Sequence, residues 1–81
     1  SMEGAGILDG DLLIIDRSIE PENNKIGICF LDGEFTVKRI IKKGDNLYLK
    51  PENKNFNEIQ IKEEDELVIW GIVTYVIKKL N

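Results

Sequence analysis

The sequence predicts a mostly β fold of short, mainly antiparallel strands and hairpins, and three observations carry that reading. Short apolar and β-branched runs alternate with clusters of turn-forming residues, an Asp32-Gly33 pair sits between two such runs, and no stretch sustains a helical period. At 81 residues, 42% hydrophobic and 32% charged, the chain has material for one small core, so residues 1–81 form a single domain.

Each element follows from local chemistry. Residues 1–7 include Gly4 and Gly6 without any sustained apolar period and read as irregular. Leu12-Leu13-Ile14-Ile15 is bounded by Asp9-Gly10-Asp11 and Asp16-Arg17-Ser18, which suits a buried strand better than a helix. Pro21 to Asn24 is a turn, and residues 25–31 form a second strand with β-branched and aromatic content. Only residues tolerant of positive φ fit a two-residue primed turn, so Asp32-Gly33 should join that strand to a partner over 34–41. Lys43-Gly44-Asp45-Asn46 turns the chain into residues 47–50, which Pro51 ends because proline lacks a ladder donor. Residues 51–57 are a polar loop, 58–61 alternate as a short half-exposed strand, and 62–66 are a charged, solvated turn. The last strand, Leu67 to Ile77, is apolar on both alternating faces and should be covered on both sides. A chain this small can hardly supply that cover, so a homodimer through this strand is expected.

Composition removes whole classes of function. With no histidine there is no Ser-His-Asp or Cys-His nucleophile and no His-bearing zinc site. The single cysteine excludes an intramolecular disulfide and a cysteine-cage metal site, and suits a reducing, cytoplasmic setting. A net charge of -4 without a basic cluster argues against direct nucleic-acid binding by this chain. No apolar run approaches the roughly 20 residues that span a bilayer, and no charged-then-apolar signal segment opens the chain. No cofactor or metal is implied. Any neutral-pH hydrolytic chemistry must then use Asp, Glu, Lys, Tyr or the N-terminus as proton acceptor.

Lys38 stands out among these. On its strand, Phe35, Val37 and Arg39 share one face, and Glu34, Thr36, Lys38 and Ile40 the other. The plain reading is an exposed lysine on a polar face. The sharper reading requires burial, which lowers an ammonium's pKa until the free amine can deprotonate a serine hydroxyl. The serines are Ser1 and Ser18. Ser18 suits local turn hydrogen bonding. Ser1-Met2 reads either as a tag remnant or as a nucleophile set in a glycine-rich stretch whose amides can point at an oxyanion. Cys29 reads as a buried small hydrophobe, Trp70 as core or dimer interface, and Lys78-Lys79 as a solvated tail. Asp9-Gly10-Asp11 lacks the glutamate and spacing of a calcium loop and reads as a turn.

Several of these residues fall in one register. Ser1-Met2, Gly6 to Asp16, Asp32-Gly33-Glu34-Phe35-Thr36-Val37-Lys38-Arg39, Pro51-Glu52-Asn53 and Trp70-Gly71-Ile72-Val73 with Val76-Ile77 together resemble the LexA/UmuD family of self-cleaving Ser-Lys peptidase domains. The resemblance runs over essentially the whole chain. Its most specific parts are the serine-methionine pair and the threonine-valine-lysine strand, and a tag remnant would have to meet the family's serine by accident. It implies a compact LexA/UmuD-like peptidase fold with Ser1 as nucleophile, Lys38 as base and nearby amides as oxyanion donors. It also implies an SOS (DNA-damage) role, in which a RecA filament on single-stranded DNA stimulates cleavage of the protein's own N-terminal arm in the bacterial cytoplasm. The expected bond is Ala-Gly or Cys-Gly in an arm upstream of Ser1. Ala5-Gly6 lies downstream and is not that bond. The chain is accordingly expected to be truncated at its N-terminus, with an ammonium at Ser1 that can impair activity.

Within the family the sequence looks closer to UmuD, whose trimmed homodimer serves a translesion DNA polymerase. The alternative is the self-cleavage and dimerisation domain of a LexA or phage-type repressor. A reading of another class, a non-enzymatic β-domain that dimerises and docks partners, also stands.

Overall fold

In the computed structural model, residues 2–55 and 57–80 are described. Six strands follow a single 3₁₀ turn at Glu3–Ala5: β1 (Leu12–Asp16), β2 (Ile26–Leu31), β3 (Glu34–Lys43), β4 (Asn46–Lys50), β5 (Ile59–Ile61) and β6 (Leu67–Ile77). They form one antiparallel sheet in the order β1-β6-β2-β3-β4-β5, so the mostly β, hairpin-rich expectation holds. The final strand inserts between the first two, which makes the most apolar run a central strand.

Turn chemistry sets the register. Asp32 and Gly33 take φ of 48° and 90°, a primed turn whose twist matches that of the flanking strands. The β2–β3 ladder then runs without a slip from Leu31↔Glu34 to Ile26↔Arg39. At the next hairpin Gly44 has φ of 60°, and β3 continues two residues further than the sequence suggested, to Lys43.

The core is one residue deep on each of four neighbouring strands. Ile72 of β6, Cys29 of β2, Ile40 of β3 and Leu49 of β4 form a buried cluster, with Ile19, Leu31, Leu47, Ile61, Leu67 and Ile69 packed against it. Burial of each large aliphatic side chain contributes about 1.5–3 kcal/mol relative to exposure. Met2 and Ile7 are also buried but belong to the segment before β1, beside Val37.

Three expectations need correction. β1 is not a buried strand. It forms an edge of the sheet, with no further strand beyond it among the described residues, and Leu12 and Ile14 are exposed. Of the core and dimer-interface readings of Trp70, the first does not hold: the residue is 38% exposed, where the β2–β6 register slips around it. Its indole is covered on one side by the Arg17 guanidinium, 4.3 Å from the ring centroid. Lys78 is not simply a solvated tail, since its Nζ pairs with Asp11 Oδ2 at 2.5 Å.

Candidate active site

Lys38 lies in the middle of β3, paired across the ladder with Gly27 of β2. Side chains alternate along a strand, so Lys38 shares its face with the buried Ile40 and, across the ladder, with the buried Cys29. This is the core side of β3, and Lys38 is half-buried there, not displayed on a polar face. The space a side chain at Gly27 would take is filled by Ile40. A Cβ on Gly27 would lie 2.9 Å from Ile40 Cδ1, so this point of β2 carries no side chain toward the core.

Cys29 has no exposed surface, and its Sγ lies 3.8 Å from the carbonyl oxygen of Gly27. Burial pushes its thiol up to about 11, and the positive charge of Lys38 pulls weakly the other way. The thiol is therefore an uncharged neighbour of the lysine at ordinary pH, as the small-hydrophobe reading requires.

The β3–β4 ladder runs only from Arg39↔Lys50 to Lys43↔Asn46, so β3 residues 34–38 lie beyond the end of β4. The segment after Ser1 passes this region. Its 3₁₀ turn is closed by Gly6 in the left-handed region at φ 79°, and the Met2 carbonyl accepts from Ala5 N–H (3.1 Å) and Ile7 N–H (3.2 Å). An open cleft of about 300 Å³ lies here, lined by Met2, Glu3, Ile7, Leu8, Asp9 and Val37, the strand neighbour of Lys38. Ser1 itself lies outside the described residues. Ser18 keeps its turn role, because its N–H and hydroxyl both donate to Asp16 Oδ1, at 2.8 and 2.6 Å. Those bonds hold the Asp16 carboxyl below its ordinary range.

Residue-type reasoning missed the support around this segment. Arg39 Nε donates to Glu52 Oε1, and Glu52 in turn meets Gly4 and Met2 through its backbone. The only sequence signal was Pro51-Glu52-Asn53, which stood out as part of a resemblance and otherwise read as loop.

Comparison with known proteins matches residues 1–74 to the Peptidase S24-like family. The LexA repressor of Clostridium novyi is 40% identical over 79 residues, covering 98% of this chain and 38% of the relative. That of Bordetella avium is 38% identical over 78 residues, covering 96% and 37%. That of Glaesserella parasuis is 42% identical over 79 residues, covering 96% and 38%. The chain thus spans little more than a third of the length of these relatives. All three carry the repressor name, which favours the LexA-type alternative over the UmuD-like reading. With a family match over almost its whole length, the chain belongs to the Peptidase S24-like family.

Proposed function

We propose that this chain is the self-cleaving domain of a LexA-type repressor, working through a Ser1–Lys38 dyad. The observation that carries the reading is the setting of Lys38: half-buried on the core side of β3, opposite a glycine and beside an uncharged thiol. The anchored segment that follows Ser1 runs past the same strand.

In this mechanism the neutral amine of Lys38 takes the proton from Ser1 Oγ as the oxygen attacks a peptide carbonyl in a segment upstream of Ser1. The tetrahedral oxyanion is held by backbone amides near the serine. Lys38 returns the proton to the leaving amine, and the C–N bond breaks to leave an ester on Ser1. Water, deprotonated by Lys38, then hydrolyses the ester and regenerates the hydroxyl. The sheet face lacks histidine throughout, so lysine is the base best placed for this role.

The proposal includes a homodimer built through β6, consistent with an exposed apolar quartet where β6 meets β1. Leu12 pairs with Ile77 and Ile14 with Tyr75, and all four side chains are exposed. A RecA filament on single-stranded DNA is the proposed stimulus.

The test uses a chain that retains the sequence upstream of Ser1, incubated at mildly alkaline pH with and without a RecA filament. Ser1→Ala and Lys38→Ala should each lower the self-cleavage rate by at least about 10²-fold, the size expected for losing a nucleophile or its general base. Cleavage that survives Lys38→Ala would rule out the base assignment.

A further inference from the structure

The segment that follows Ser1 is gripped by the β4–β5 loop, chiefly through Glu52. The Glu52 carbonyl accepts from Gly4 N–H at 2.6 Å, and Glu52 N–H donates to Met2 Sδ at 3.4 Å. Just beyond, Asn53 Nδ2 donates to Glu3 Oε2 at 3.3 Å. The approach is close enough to demand glycine, since a Cβ on Gly4 would lie 2.6 Å from the Glu52 oxygen.

Something must hold the loop in turn, because residues 51–57 have no ladder of their own among the described residues. That support comes from β3. Arg39, the immediate neighbour of Lys38, donates from Nε to Glu52 Oε1, and from a second nitrogen, Nη1, to the Asn24 carbonyl at 2.7 Å. The two side chains are only 23% and 20% exposed, so this is not a solvated surface pair of negligible effect. A guanidinium bonded at two points is also held in direction, which a single-point ammonium is not.

We propose that Arg39 and Glu52 are positioning residues: they clamp the segment that follows Ser1 to the strand that bears Lys38, and so set the distance from nucleophile to base. The clamp stands on the contacts themselves; its catalytic consequence rests on the dyad reading above. The chain of contacts is short, from Lys38 to Arg39 along β3, across to Glu52, and on to Gly4 and Met2. A nucleophile displaced by about 1 Å from its productive position loses on the order of 10²-fold in rate, so releasing one link should be visible in the chemistry.

Two readouts separate the clamp from the dyad. The first is amide hydrogen exchange in the 81-residue chain, comparing Glu52→Ala and Arg39→Met with the parent. The Gly4 amide should exchange at least about tenfold faster in both variants, a change well beyond ordinary scatter in protection. The Ile40 amide, bonded to the Lys25 carbonyl at 2.8 Å, is the internal control and should keep its protection. Unchanged Gly4 exchange would overturn the clamp, and so would equal loss at Gly4 and Ile40, which would mean general destabilisation. The second readout is self-cleavage of the chain extended upstream of Ser1. Both variants should lower the plateau rate by about 10- to 100-fold and leave the pH midpoint where it is. An undiminished rate, or a midpoint that moves, would overturn the positioning role. Cleavage that persists in Lys38→Ala would sink the dyad reading alone, and the exchange result would still decide the clamp.

Discussion

Opposite Lys38 the ladder carries a glycine, and diagonal to it a thiol with no exposed surface. Neither neighbour offers a carboxylate, and both leave the amine on the core side of β3. Cys29 reports on this pocket. With its thiol raised to about 11 by burial, roughly one molecule in 10³ carries a thiolate at pH 8. Native protein at that pH should therefore react with a disulfide reagent far more slowly than a free cysteine does, and should react at once when unfolded. Lys38→Met should slow the native reaction further, because the cation that favours the thiolate is gone. Rapid labelling of the native chain would contradict the burial on which the site depends. The residue scale was legible in part: the absence of histidine pointed to lysine, and face alternation grouped Lys38 with Ile40. Its half-burial was not legible, because alternation along one strand does not say which face the sheet turns toward the core.

At the scale of elements, the hairpins were written plainly. Asp32-Gly33 named its own turn, and the β2–β3 register that places Gly27 against Lys38 follows from it by counting. The order of strands was less accessible, since nothing local says that β6 threads between β1 and β2. That insertion also explains the misreading of β1. Four apolar residues in a row looked like a buried strand, but they sit on an edge, where one face stays uncovered. The clamp was hidden for a related reason. Arg39 and Glu52 are thirteen positions apart and read separately as a strand residue and a loop residue. Only the end of the β3–β4 ladder at Arg39↔Lys50 brings the loop back against β3.

The molecule as a whole leaves much of its longest strand partly bare. Besides the quartet at the β1–β6 end, Phe35 and Val68 are exposed, and Phe35 packs at a tilt against Phe30 (4.7 Å between centroids) and meets Trp70 edge-on (6.2 Å). A strand apolar on both faces reads in the sequence as needing cover from outside the chain, and part of that strand is exposed in the structure. The expected outcome is a dimer by sedimentation at micromolar concentration, dissociated by Tyr75→Asp; a single species of monomer mass would remove the dimer from the account. The central claim, however, is chemical. The most direct test is the rate of self-cleavage between pH 7 and 10 in the chain extended upstream of Ser1. A lysine that must lose its proton before it can act predicts a rate that climbs about tenfold per pH unit and levels off once the base is deprotonated. A rate that stays flat across that range would contradict a Ser1–Lys38 dyad.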